Sequence, residues 1–179
     1  MNQGYSEAGE PLKEPLSSKD SAAGALHGSS HVWIWRQTSS GIEILIQRRA
    51  STKKTWPNTW DISAAGHINH AETPLMAAMR ETQEEIGITV PAEQLRMLFV
   101  HRQYVVANVE PATIENEFQF VYGLNLREDG FVLQKEEVAE IKWITPDKLK
   151  AMIEAKLFVP HKEAYFAELF SQIKRIVES

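Results

Sequence analysis

Glu81, Glu84 and Glu85 fall at i, i+3 and i+4 in a stretch where Leu75, Met79, Thr82 and Ile86 recur with helical period. That spacing puts three carboxylates on one helix face, at about 0.2–0.5 kcal/mol of repulsion per like-charged pair. Such a face has two uses. It can be solvated, or it can hold a divalent cation. Oxygen ligands without sulfur suit Mg²⁺ or Mn²⁺, which keep water and bind substrate phosphates as well.

Further residues could join that chemistry. His67 reads either as a turn residue with one backbone hydrogen bond or as a metal or phosphate contact. Glu117 lies in a strand otherwise reading Ile114, Phe118, Phe120 and Val121. An acid there is costly to bury without a partner, and a cation would be that partner. Glu115 shares its face by the period of two. Arg49 and Lys53 follow a strand end, either aimed at phosphate or solvated. His31 opens an apolar strand and reads as a satisfied buried histidine before it reads as a ligand.

The elements that must position these residues follow from pattern. His31–Arg36 and Ile42–Gln47 are β-branched and aromatic runs joined by Ser39-Ser40-Gly41, which predicts a hairpin. A further strand region is expected at Trp60–Ile68, after Trp56-Pro57-Asn58. Thr73 caps the acidic helix, Pro74 opens it and Gly87 ends it. Strands are predicted at Leu95–Val106, Ile114–Leu126 and Val138–Ile144. A short helix then starts at Thr145-Pro146-Asp147, and an amphipathic one spans Tyr165–Val177. Strands interleaved with helices imply an α/β fold, a mixed sheet covered by helices on its faces. Residues 1–30, rich in Ser, Gly, Ala, Glu and Lys, read as an extended or flexible leader, with the domain over 31–179.

At 179 residues the chain is about one domain long. It is 43% hydrophobic and 24% charged, values that exclude collagen-like and disordered classes. No apolar run is long enough to span a membrane, and no secretory signal opens the chain. There is no cysteine, so thiolate metal sites and cysteine nucleophiles are excluded. A net charge of −5 without a basic run argues against a nucleic-acid polymer as partner. A cytoplasmic protein is expected.

The acidic helix sits inside a longer pattern. Gly66, five residues, Glu72, seven residues, then Arg80-Glu81-Thr82-Gln83-Glu84-Glu85-Ile86-Gly87-Ile88 resembles the box of the Nudix hydrolases, over residues 66–88. All seven fixed positions are met, a chance on the order of 10⁻⁸ to 10⁻⁹ at a given start. Thr82 stands where the pattern asks for a bulky apolar residue. The resemblance implies a Nudix-type α/β/α sandwich with a catalytic loop–helix–loop that binds Mg²⁺ or Mn²⁺ and cleaves a diphosphate bond. It implies that Glu81, Glu84 and Glu85 are metal ligands or the base, and that Gly66 offers its carbonyl to a metal. Glu72 and Arg80 would orient them.

The flanks resemble a narrower group, the isopentenyl-diphosphate isomerases, over roughly residues 31–145. Gln47-Arg48-Arg49-Ala50, Lys53-Lys54, Trp56–Trp60, Gly66-His67 and Glu115-Asn116-Glu117 carry that likeness. It implies metal binding at His31, His67, Glu115 and Glu117, and diphosphate binding at Arg49 and Lys53. The cysteine these isomerases use is replaced by Ala65, which cannot transfer a proton, and one metal histidine has no match, since His27 has a different spacing. Glu81 and Glu84, which they lack, are present. The chain is also similar to a Nudix subgroup that in plants is sometimes fused to a peptidase, through Trp60–His67 and Leu133–Val138.

The expected activity is therefore metal-dependent hydrolysis of a small organic diphosphate, such as a nucleoside diphosphate derivative or a prenyl diphosphate. The alternatives are an isomerase-like enzyme with another acid, a silent ligand-binding module, and an oligomeric scaffold. Specificity is expected in loops such as Arg102–Thr113. A homodimer is compatible with the resemblance.

Overall fold

The computed structural model describes residues 1–107, 109, 112–127 and 130–178. In chain order the elements are α1 (Ser18–Ala22), β1 (His27–Thr38), β2 (Gly41–Arg49), β3 (Trp60–Asp61), β4 (Ala64–His67), α2 (Pro74–Ile86), β5 (Arg96–Ala107), β6 (Thr113–Asn125), β7 (Val138–Ile144), α3 (Pro146–Glu154) and α4 (Glu163–Glu178). The hairpin forms as expected, and the strand region at Trp60–Ile68 is divided into β3 and β4.

The sheet runs β3-β2-β1-β6-β5, with β4 pairing with β1 and β7 with β2. β1 and β6 are parallel, with His27 opposite Glu117 and Val32 opposite Tyr122. The other described pairs are antiparallel. Alternation along β1 and β2 sends Trp33, Ile44 and Ile46 to one face, where they meet Leu149 of α3 and Tyr165 and Leu169 of α4. Val32, Ile34 and Leu45 go to the other face, against Ala78 and Ile86 of α2. One sheet between two helical layers is the α/β/α sandwich.

The helix that carries the glutamates is locally specified. Thr73 Oγ1 accepts from the Met76 amide at 3.2 Å, and Pro74 occupies the first turn, where no backbone donor is needed. Gly87 ends the helix at φ 76°, a left-handed conformation that only glycine adopts without strain. Thr82, the departure from an apolar position, is fully buried and donates its hydroxyl to the Ala78 carbonyl at 2.7 Å. That internal bond is how a polar residue meets an apolar requirement.

Two expectations need correction. β1 begins at His27, not His31, and the preceding stretch is seated on the domain. Asn2, Gln3 and Tyr5 are buried, and α1 is closed by a capping box between Ser17 and Asp20. The amides of Gln3 and His70 donate to the carbonyls of Ile68 and Met1. Gly28-Ser29-Ser30 has little strand propensity of its own, so neighbouring strands, not local pattern, decide its conformation. The expected loop at Arg102–Thr113 is mostly strand, because β5 and β6 pair as far as Ala107 opposite Thr113; Asn108, Glu110 and Pro111 lie outside the described residues. Among the described residues no helix is long and apolar enough to cross a membrane.

Candidate active site

A cavity of about 980 Å³ opens where β4 meets α2, and Gly66, His67, Arg80, Glu81, Glu84 and Glu85 all line it. Gly66 has no room for a side chain: a Cβ there would overlap the Glu81 carboxylate. The glycine is thus explained by close approach, which brings backbone and carboxylate together in one place.

Arg80 organises the acids. Its Nε and Nη2 donate to the two oxygens of Glu72 at 2.9 and 3.0 Å, and Nη2 also donates to the His67 carbonyl at 2.9 Å. Nη1 donates to Glu81 at 2.6 Å and to Glu84 at 3.1 Å. The fork matches carboxylate geometry in a way a lysine could not. Glu72 is fixed again by the Asn69 amide at 2.9 Å. Burial works against the Glu72 charge, but the Arg80 hydrogen bonds outweigh it and hold this carboxyl below its ordinary value.

Glu85 is the buried member. Its Oε2 accepts from Gln47 Nε2 at 2.8 Å and from the Ala65 amide at 3.0 Å. Burial, reinforced by the Glu81 charge, pushes its pKa up to about 8. Burial also raises Glu81, against the pull of Arg80. Glu84 stays half exposed, with 52% of its side chain open. The face therefore contains an exposed, an intermediate and a buried carboxylate around one guanidinium.

A second group lies on the sheet side of the same cavity, which His67, Glu115 and Glu117 line. Ligand atoms of His27, His67, Glu115 and Glu117 all lie within 4.8 Å of one another. His67 Nε2 is 3.4 Å from Glu117 Oε1 and 3.9 Å from Glu115 Oε2, and His27 Nε2 is 3.5 Å from Glu117 Oε1. Ser29 and Gln119 donate to the other Glu117 oxygen at 3.1 and 2.9 Å. Burial opposes the Glu117 charge, yet hydrogen bonds from the two histidines hold it well below the usual carboxylate range. Partial burial likewise opposes a proton on His67, and Glu115 and Glu117 outweigh it, pushing His67 up to about 10. Two imidazoles and two carboxylates are a donor set that suits a divalent transition ion such as Mn²⁺. With no ion bound, a proton on His67 would supply the positive charge that such an ion would bring.

His31 does not belong to that group. Its Nδ1 meets the Tyr165 hydroxyl at 3.0 Å and its Nε2 meets Ser29 Oγ at 3.3 Å. Burial, with the neighbouring His161, lowers its pKa to about 3. In the place that the isomerase likeness gives to His31, the structure puts His27, four residues earlier and on the same face of β1. The signal was available: counting back from His31 by twos reaches Ser29 and then His27. Gln47 was also missed, because a polar residue at a strand end carries no signature.

Arg49 and Lys53 both line the cavity and both are engaged. Arg49 Nη1 donates to Asp61 at 2.9 Å and its Nε and Nη2 to the Thr55 carbonyl at 3.2 and 3.1 Å. Lys53 is paired with Glu137.

Fold and box together define a class: an α/β/α sandwich that presents carboxylates from a glycine-flanked helix to a polar cavity. The chain belongs to the Nudix family, in its isopentenyl-diphosphate isomerase-like subgroup, and its domain is of the pyrophosphohydrolase type; the NUDIX domain family model matches residues 26–169. Nudix hydrolase 3 of Arabidopsis thaliana is 35% identical over 159 residues, 85% of this chain and 20% of that protein. The chain thus spans about a fifth of that relative. An uncharacterized Nudix hydrolase of Listeria innocua is 32% identical over 149 residues, covering 83% of this chain and 81% of the other. An isopentenyl-diphosphate Delta-isomerase of Corynebacterium diphtheriae is 34% identical over 108 residues, 60% and 58% of the two chains. In fold, the chain is similar to DR0079 of Deinococcus radiodurans, with a TM-score of 0.70 at 21% identity over 89% of this chain and 92% of that one.

Proposed function

We propose that this protein acts in the cytoplasm as a Mg²⁺- or Mn²⁺-dependent hydrolase that cleaves a diphosphate linkage in a nucleoside diphosphate derivative or similar small organic diphosphate. The convergence of Glu81, Glu84 and Glu85 with Gly66 in one cavity carries this reading. These residues would hold divalent cations, as would His27, His67, Glu115 and Glu117. Bound there, such ions neutralise charge on phosphoryl oxygens and make water a stronger acid.

The chain's own groups divide the remaining work. In the reaction, the water oxygen bonds to phosphorus, the bridging P–O bond breaks, and the proton leaves to a carboxylate. Glu85, raised to about 8, holds a proton near neutral pH when no cation opposes it. Arg80 keeps Glu81 and Glu84 from drifting apart. Arg49 and Lys53 are proposed to reach substrate phosphate by exchanging their acids for it. Ala65 argues against an isomerase, since a methyl group cannot protonate carbon, and its amide serves instead to hold Glu85.

The test is product release from nucleoside di- and triphosphates, ADP-ribose and isopentenyl diphosphate, with Mg²⁺ or Mn²⁺ and with EDTA. Metal-dependent cleavage of one member, lost in Glu85→Gln, is the expected result. Cleavage that survives EDTA or that variant contradicts the assignment.

A further inference from the structure

The cavity has a wall that the glutamates do not use. Gln103 and Gln119 line it, both only 2% exposed, together with His161. In the β5–β6 register Gln103 stands opposite Glu117, and His101 opposite Gln119. The two glutamines therefore project from neighbouring strands onto the face that also carries Glu117.

Their amides have fixed orientations. Gln103 Nε2 donates to the Pro160 carbonyl at 3.2 Å, and Gln119 Nε2 donates to Glu117 at 2.9 Å. Both partners can only accept, so each amide must keep its nitrogen there and turn its oxygen away. Gln103 Oε1, Gln119 Oε1 and both ring nitrogens of His161 are buried and have no hydrogen-bond partner among the described residues. His161 is stacked on Tyr165, with centroids 4.5 Å apart and planes at 19°, which fixes its ring plane as well. Deeper along the same face the wall turns apolar, with Trp33, Val121 and Tyr165 in the core. The polar groups thus occur where the sheet borders the cavity.

We infer that Gln103, Gln119 and His161 select the non-phosphate part of the substrate, and that this part bears hydroxyl or N–H donors instead of a prenyl chain. The inference rests on the hydrolase reading above and narrows its substrate class. A ligand with donors pairs the two carbonyl oxygens, and a hydroxyl can either give to or accept from the imidazole. A hydrocarbon tail would bury the same atoms unpaired. Sites built to hydrogen-bond a substrate discriminate against analogues without the group far more strongly than apolar sites do in reverse.

The experiment compares ADP-ribose and ATP with geranyl diphosphate, an apolar diphosphate of useful size, in wild type, Gln103→Met, Gln119→Met and the double variant. Expected is a wild-type kcat/KM at least about 10²-fold higher for the better hydroxylated substrate. Gln103→Met lowers that value about 10-fold or more and leaves geranyl diphosphate unchanged or improved, whereas Gln119→Met, which also removes a donor to Glu117, lowers the ratio between the two substrate types by a similar factor. Equal or better use of geranyl diphosphate by wild type overturns the inference. So does an equal loss for both substrate types in variants that keep the wild-type melting temperature. Calorimetric Kd values for the same three compounds on Glu85→Gln protein separate the two readings. Discrimination in binding without cleavage by wild type refutes the hydrolase and keeps the wall. Cleavage without discrimination refutes the wall and keeps the hydrolase.

Discussion

The α2 glutamates and the sheet cluster solve the same electrostatic problem differently. At α2, Glu81 and Glu84, with Glu72 just before the helix, share one permanently charged guanidinium, and Glu85 has no ion pair with it. On the sheet, Glu115 and Glu117 face the imidazoles of His27 and His67, and the charge that the two acids favour on His67 is a removable proton. A fixed cation holds geometry. A titratable one can give way to another cation at the same place. On the hydrolase reading proposed above, α2 would serve reaction chemistry under constant alignment and the sheet cluster would take up a cation in exchange for a proton.

The largest effect that could break this division is on turnover. Glu85→Gln is expected to lower it by about 10²-fold or more, the scale of losing a charge-stabilising group. In steady-state kinetics at saturating metal, a smaller loss there than in Glu117→Gln would reverse the two roles. Next is metal affinity. Glu117→Gln should weaken Mn²⁺ binding at least about 10-fold, read as a reduced Mn²⁺-induced rise in melting temperature. An unchanged rise would leave the sheet cluster without its cation.

A pH dependence sharpens the picture further. Glu85 rises from an ordinary 4.5 to about 8 on folding, so between those values the folded protein binds more protons than the unfolded chain. In EDTA its contribution to stability is therefore lost as pH rises through this window. Urea midpoints at pH 6 and pH 8.5 should show the decline, and Glu85→Gln should reduce it, leaving the share of His67, whose raised value also costs stability as pH rises above 6.5. A slope unaltered by that substitution would show that Glu85 is not the group responsible. The smallest expected effect is at the helix start, where Thr73→Ala removes a cap at about 1 kcal/mol. Denaturant melts measure it, and a value near zero would mean that Pro74 and packing alone hold the first turn.

The two regions also differ in how far a sequence reader could see. Everything that shapes α2 lies within about twenty positions, from Gly66 to Gly87: cap, opening proline, acidic face and stop. Helical spacing converts such a run directly into a surface. The sheet cluster has no such run. Glu115 and Glu117 were legible as out-of-place acids, but their histidine partner depends on the parallel register of β1 with β6. Reading the first thirty residues as a leader concealed it, since Gly28, Ser29 and Ser30 look like linker and are strand only because β4 and β6 flank them. Gln103, Gln119 and His161 were invisible for a related reason. A single glutamine in a strand is ordinary, and its meaning arises only when a neighbour fixes which end of the amide faces inward.

The parallel pairing of β1 with β6 has a consequence during synthesis. β1 leaves the ribosome first, while the strand that supplies Glu115 and Glu117 follows only after β2–β5 and α2. Closing that long loop is the slow kind of contact, set by chain entropy. His27 and His67 must wait for it, whereas the α2 acids stand together as soon as their helix forms. The four sheet residues standing together thus mark a molecule in which β1 has already paired with β6, whereas the α2 acids standing together do not.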